Sequence, residues 1–162
     1  PQVEQAKPFY GIYAKLVVHR PGPSSLAYVR LGRKIGAIGR ISAARETVTN
    51  PIPRLLSRVV PNNAATRRSG TLGAPGSKDV FVTAAEDIAG FDAAGIAKRL
   101  SIPNSRSGFR VISFKTPRSG LASPVNRTNP GFVGRGRTAG GAREYVIPNG
   151  SVPRGATVRT VR

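Results

Sequence analysis

Short apolar segments bounded by proline and glycine predict a chain built largely from β-strands. Valine, isoleucine and phenylalanine dominate these segments, and residues 109–114 place apolar side chains at positions 109, 111, 112 and 114. Runs of about four to eight residues of this composition, set between turn residues, are typical of strands. Strands are therefore predicted over residues 14–20, 79–83, 109–114, 144–147 and 157–161.

Three positions carry signals for the start of a helix. Ser24 precedes apolar residues at near-helical spacing, and Thr83 with Glu86 has the spacing of a capping box. Asp92 is placed to cap a further helix that stops before Pro103. Short strands combined with a few helices indicate an α+β fold, and the chain is long enough for one hydrophobic core.

Residues 49–77 differ in character from the rest of the chain. Proline and small polar residues dominate them, around one apolar patch at positions 55–60. The segment is predicted to be a long, basic, irregular connection rich in Pro and Gly. It would lie within a single domain that spans residues 1–162.

The balance of charge indicates the class of partner. The chain has 26 Lys and Arg residues against 7 Asp and Glu, which gives a net charge of +19. A field of this size attracts polyanions, and the planar guanidinium of arginine pairs well with phosphate. Nucleic acid, RNA first, is the predicted partner, and no apolar run is long enough to predict membrane insertion. The arginines predicted to contact nucleic acid are Arg67, Arg68, Arg135, Arg137 and Arg143.

The scarcity of sulfur and imidazole narrows the chemistry. There is no Cys, and His19 is the single histidine. Disulfides are excluded, as are zinc and iron–sulfur sites that need several N and S ligands, so no metal is predicted. Met is absent even from position 1, and the chain is expected to be a segment of a larger protein.

Glu144 is the carboxylate that most needs a chemical explanation. It is the only Asp or Glu between residues 93 and 162, and a glycine-rich stretch leads into it. The glycines at 134, 136 and 140 are spaced Gly-x-Gly-x-x-x-Gly, one residue too long for a dinucleotide fingerprint, and no helix pattern follows. They are interpreted as a mobile loop. Glu144 is therefore the candidate catalytic residue.

Other catalytic arrangements use the same few residues. A Ser-His-Asp triad could use only His19, and the chain has no Gly-x-Ser-x-Gly elbow. Glu144 could form a pair with Glu86 or Asp87, but Glu86 is explained as a helix cap and a strongly basic protein is an odd polysaccharide hydrolase. A metal-free ribonuclease needs a base, an acid and cations, which Glu144, His19 and the arginines could supply.

Three segments resemble the ADP-ribosyltransferase superfamily and the C-terminal toxin modules of bacterial polymorphic toxins. The family pattern has an Arg or His ending an early strand, a Ser or Thr on a middle strand, and a Glu opening a late strand that leads through Pro and Gly to another strand. Similar segments here are Leu-Val-Val-His-Arg at 16–20, Asp-Val-Phe-Val-Thr at 79–83, and Glu-Tyr-Val-Ile-Pro-Asn-Gly at 144–150, followed by a strand at 157–161.

The resemblance implies two small, curved antiparallel sheets around a cleft that binds NAD. Arg20, or alternatively His19, would hold NAD in that cleft. Thr83 would support the nicotinamide pocket, with Ser113 on the next strand as a rival. Glu144 would be the catalytic residue.

The resemblance also implies a biological setting. Ala142 stands two positions before the Glu, where enzymes that modify protein arginines carry Glu or Gln, so RNA is the favoured acceptor. The implied protein is an interbacterial toxin, delivered within a larger secreted bacterial protein to act in the target-cell cytoplasm, with NAD as co-substrate and an acidic cognate immunity protein. A metal-free ribonuclease toxin, an NAD glycohydrolase toxin and a non-enzymatic nucleic-acid-binding protein are the alternatives.

Overall fold

The computed structural model describes residues 45–124 and 132–162. The strand predicted at 14–20 and the helix predicted after Ser24 lie outside these ranges, and so do His19 and Arg20. Within them the strands are β1 (Arg45–Glu46), β2 (Leu55–Pro61), β3 (Asp79–Ala84), β4 (Phe109–Lys115), β5 (Ser123–Pro124), β6 (Phe132–Gly134), β7 (Arg137–Thr138), β8 (Glu144–Pro148) and β9 (Thr157–Val161).

The main sheet is antiparallel and has five strands in the order β8-β3-β2-β4-β9. Two ribbons of two strands each, β1 with β5 and β6 with β7, accompany it. Two short helices, α1 (Ala64–Arg68) and α2 (Ala93–Leu100), complete the described part of the fold. The predicted α+β class is confirmed. In the described residues it takes the form of one five-stranded sheet with ribbons beside it.

Side chains alternate between the two faces of this sheet, and each face is covered differently. On the side we call the helix face, α2 packs Ile96 and Leu100 into a cluster with Val59, Phe109 and Val111. The opposite side, the loop face, is covered by connecting segments. Its core residues are Leu56, Leu72, Val80, Val82, Ala84, Ile112, Phe114, Tyr145 and Ile147.

The prediction of an irregular connection at 49–77 is wrong in its middle. Strand β2 lies at the centre of the sheet, and its residues from Leu56 to Val60 are all buried. A central strand is buried on both faces and therefore lacks the simple polar and apolar alternation of an edge strand. Arg58 interrupts the apolar run, and flanking prolines made the segment resemble a loop.

One of the two described helix-start signals is confirmed. The Asp92 carboxylate accepts a hydrogen bond of 2.7 Å from the Gly95 N–H, and α2 begins directly after it. The capping box at Thr83 and Glu86 is wrong, because β3 continues through Thr83. A 3₁₀ turn, Ala85–Ile88, follows that strand without a side-chain cap.

Candidate functional site

Five polar residues form a row across the main sheet, one on each strand. The register pairs neighbouring members of this polar row in the order Glu144, Thr83, Ser57, Ser113, Thr157. Residues directly opposite each other in an antiparallel pair project from the same face, which here is the helix face. The hydroxyls of Ser57 and Ser113 are 2.7 Å apart and hydrogen-bonded.

The polar row runs from the interior to the surface. Glu144, Thr83 and Ser57 are only 6%, 3% and 1% exposed. Ser113 is half-buried, and Thr157 is exposed. The candidate catalytic carboxylate therefore lies at the buried end of the row, where electrostatic interactions are stronger than in water.

A buried cation on the other side of the sheet acts on Glu144. Arg58 projects from the loop face of β2, and β3 is the one strand between it and the strand of Glu144. Burial lowers the pKa of Arg58 to about 10, and the opposite charge of Glu144 acts against that lowering. Arg58 therefore stays protonated at neutral pH, and the two buried charges stabilise each other through the sheet.

The residue before Glu144 is fixed at every polar group of its main chain. The Arg143 N–H donates to Asp87 Oδ2 at 2.7 Å, and the Thr83 hydroxyl donates to the Arg143 carbonyl at 2.7 Å. The Glu144 N–H in turn donates to the carbonyl of Gly136 at 2.7 Å. These bonds define where β8 begins and so orient the Glu144 side chain.

The side chain of Arg143 joins the same arrangement. Its Nε and Nη2 bind the two oxygens of Asp87 at 3.0 and 2.8 Å, and Nη2 also contacts Glu86. Burial by itself would raise the pKa of Asp87, but hydrogen bonds from Arg143 and the charges of Arg143 and Arg99 outweigh it and hold that pKa below its ordinary value. The bonds to Asp87 likewise raise the pKa of Arg143. We call Asp87, Glu86 and Arg143 the clasp.

The glycine-rich stretch before Glu144 is packed against α2. The Gly140 N–H donates to the Ser101 hydroxyl at 3.1 Å, and Arg99 Nη1 donates to the Gly140 carbonyl at 2.7 Å. A Cβ at Gly140 would lie 2.3 Å from the carbonyl oxygens of Lys98 and Arg99. The interpretation of these glycines as a mobile loop is not supported, since close approach of two backbones explains Gly140.

A family model described as Novel toxin 10 matches residues 19–162. The chain belongs to the Novel toxin 10 family. It is therefore a bacterial polymorphic toxin module, which confirms the toxin class predicted from the resemblance, and a cognate immunity protein is a general expectation for such toxins. No curated protein and no solved structure matches the chain.

The match takes in the whole polar row and the clasp. The family description Novel toxin 10 names a class of toxin and specifies no reaction. Among the residues described, no three His, Cys, Asp or Glu side chains come together as metal ligands. Across the same ranges no helix is long and apolar enough to cross a membrane.

The arginines predicted to bind nucleic acid lie on separate elements of the Novel toxin 10 domain. Arg135 and Arg137 are exposed around the tight turn between β6 and β7. Arg67 and Arg68 end α1, none of whose residues is buried. Arg143 differs, because two carboxylates occupy its guanidinium, and we remove it from the set of nucleic-acid contacts.

The sequence patterns of this Novel toxin 10 member did not indicate several residues of the site. Ser57 and Arg58 were hidden in the segment interpreted as irregular, and Asp87 was weighed only as the acid of a triad with His19 or as a partner for Glu144. The apolar patch at 55–60 was the available signal for a strand. Pairing between residues 56 apart, such as Asp87 and Arg143, leaves no local pattern.

Proposed function

We propose that this toxin domain transfers ADP-ribose from NAD, with Glu144 as the catalytic residue and RNA as the acceptor. The observation that carries the proposal is the pairing of Thr83 with Glu144 on adjacent strands. The resemblance assigns these two positions to the middle and late motifs of one NAD site, although they are far apart in sequence. Their position opposite each other on β3 and β8 is what a shared site requires.

The environment of Glu144 suits cleavage of the nicotinamide–ribose bond. As that bond breaks, positive charge builds on the ribose, and a carboxylate nearby stabilises the transition state more than the ground state. At 6% exposure, Glu144 is screened from solvent, which strengthens the effect. The clasp and Thr83 hold the backbone before Glu144, so the carboxylate is positioned before substrate binds.

Two further roles follow from the proposal. Arg20, with His19 as the alternative, would hold the phosphates or ribose of NAD. Thr83 would act as a positioning residue, because its hydroxyl already donates to the Arg143 carbonyl. Neither role involves a metal.

The preference for an RNA acceptor rests on charge and on one neighbouring turn. The net charge is +19. The turn that presents Arg135 and Arg137 includes Gly136, whose carbonyl accepts the Glu144 N–H. Phosphates bound by these arginines would lie beside the reaction centre. An immunity protein that covers the same surface would be acidic there.

A metal-free ribonuclease is the second candidate. The observation in its favour is the accessible end of the polar row, since half-buried Ser113 and exposed Thr157 could donate hydrogen bonds to a phosphodiester, with Ser57 supporting Ser113. Glu144 would then be the general base, and His19 the general acid. This chemistry uses the same carboxylate without NAD.

Nicotinamide release from NAD tests the proposal directly. Wild type, Glu144→Gln and the matched control Glu46→Gln, which makes the same change at an exposed carboxylate, are each assayed with and without total cellular RNA. Release should fall at least about 100-fold in Glu144→Gln and stay unchanged in Glu46→Gln. Stimulation by RNA, with label from NAD recovered on RNA, is expected.

Each of the other outcomes would indicate a different function for this domain. Release that depends on Glu144 but ignores RNA would indicate an NAD glycohydrolase or another acceptor. RNA cut in a Glu144-dependent way, with no nicotinamide released, would replace the transferase with the ribonuclease. RNA affinity that falls with salt, with neither reaction, would make the domain a binding protein.

A further inference from the structure

A cavity of about 180 Å³ opens on the loop face, away from the polar row. Its floor is formed by side chains of β2 and β4, among them Arg58, Val60 and Ile112, and α1 and the loop after it form its sides. Ala74 and Pro75 on that loop are exposed, so the cavity is accessible from solvent. The mechanism proposed above does not use this cavity.

Arg58 gives the cavity a polar floor. It is 7% exposed, and its Nε and Nη1 donate to the carbonyls of Leu72 and Phe81 at 3.1 and 3.0 Å. Among the described residues, no acceptor bonds its Nη2. Most of the remaining wall is apolar, and no carboxylate contributes to it. A ligand there meets a charged group that only donates hydrogen bonds.

The surface around the cavity is basic. Arg67 and Arg68 end α1, which forms one wall, and Arg110 Nη1 holds that helix by donating to the Thr66 carbonyl at 3.0 Å. No Asp or Glu occurs between residues 47 and 78. A polyanion could therefore approach this face without meeting a negative charge.

We propose that the cavity binds one unpaired guanine or uracil base of single-stranded RNA, with neighbouring phosphates on Arg67 and Arg68. The inference rests on the RNA part of the proposed function and is independent of the NAD chemistry. The volume suits a base, since a cavity of about 150 Å³ holds benzene. Apolar walls contact the faces of the ring, and Arg58 donates to its carbonyl oxygen.

The donor-only floor is what selects among bases. Guanine and uracil present carbonyl oxygens to an arginine, whereas adenine presents an amino group at the corresponding edge. A bare phosphate would leave the apolar walls uncovered. Because the cavity and Glu144 are on opposite faces of the sheet, the base would anchor RNA at a distance from the reaction centre.

The test compares two variants on α1, because replacing Arg58 could unfold the domain. Ala65 lines the cavity, and Ala65→Phe would fill it with a ring, while Ala64→Phe adds the same ring one residue earlier and outside the wall. Fluorescence anisotropy at about 0.15 M salt measures binding of labelled six-nucleotide U6 and A6 RNA. Wild type and Ala64→Phe should bind U6 about tenfold more tightly than A6, and Ala65→Phe should bind both equally.

Two results would overturn the base pocket: equal binding of U6 and A6 by wild type, or an unchanged preference in Ala65→Phe. Circular dichroism and thermal melting show that each variant is folded. If no RNA binds at all, the pocket and the RNA acceptor fail together. If the U6 preference holds but nicotinamide is never released, the pocket stands and the transferase alone fails.

Discussion

Each face of the sheet buries charged groups, and the protein holds two of them, Glu144 and Arg58, in different ways. Around Glu144, the main-chain N–H groups of Glu144 and Arg143 donate to Gly136 and Asp87, and the Thr83 hydroxyl donates to the Arg143 carbonyl. Arg58 is held through its side chain, because the guanidinium itself donates to the carbonyls of Leu72 and Phe81. The main-chain bonds fix the position of Glu144 on β8. A residue held through its side chain supports the fold first.

This difference predicts unequal losses of stability when each charge is removed. Arg58→Met leaves two buried carbonyls without their donor and should lower the free energy of unfolding by about 3 kcal/mol. Glu144→Gln keeps size and shape, and it relieves a buried charge while losing an attraction to Arg58, so the change should stay within about 1 kcal/mol. Urea denaturation of both variants makes the measurement. Equal destabilisation would mean that Glu144 is as much a structural residue as Arg58.

The sequence predicted the strand of Glu144 far better than the strand of Arg58. Strands β3, β4, β8 and β9 were predicted within a residue or two of their observed bounds, because proline and glycine punctuate short β-branched and aromatic runs. Strand β2 was missed because an arginine in the middle of an apolar run contradicts the pattern of a buried strand. Only the folded chain supplies the two carbonyls that satisfy Arg58.

The candidate site, like the sheet, was predicted in part from the sequence. Glu144 was identified by its isolation and Thr83 by resemblance, and β3 does pair with β8 at these residues. The clasp was not predicted, since Asp87 is linked to Arg143 by folding alone. The charge excess made every arginine look like a phosphate contact, and a sequence cannot say which of them a carboxylate already occupies.

The clasp offers a way to weaken the support of Glu144 without touching its side chain. Asp87→Asn loses the charge-assisted bonds to Arg143 and should cost about 2 kcal/mol at pH 7. The pKa of Asp87 lies below its ordinary 3.8, so this stabilisation is present above pH 3.8 and is lost as the pH falls through the lowered pKa. The difference between wild type and Asp87→Asn should therefore shrink in strong acid.

Urea denaturation at pH 7 and in steps below pH 4 measures this effect. Glu86→Gln is the matched control, because the Glu86 side chain is 68% exposed and touches the same guanidinium, and it should change stability much less. A difference that stays constant from pH 7 into strong acid would show that Asp87 is not charged in the folded protein.

The glycine-rich stretch packs against α2, so a larger side chain at Gly140 should displace the backbone that leads to Glu144. Ala at position 140 would meet two carbonyl oxygens at 2.3 Å, which forces a shift and should cost about 1–2 kcal/mol. Gly150→Ala is the control, because a Cβ there has no atom within 4 Å. Thermal melting of both variants, with nicotinamide release assayed where they are folded, tests the contact. If Gly140→Ala melts like Gly150→Ala, the glycine stretch is not held against the helix.

The smallest expected effect lies within the polar row, at the bond between Ser57 and Ser113. Ser57→Ala or Ser113→Ala leaves the other hydroxyl without its partner and should cost about 1 kcal/mol each, whereas the double variant removes both and should cost less than the sum. A double-mutant cycle by urea denaturation yields the coupling. RNA cleavage by the same three proteins separates the two candidate chemistries. If Ser113 binds a phosphodiester and Ser57 orients it, cleavage should fall in every variant. If the two serines only join two strands, the double variant should keep activity along with most of its stability.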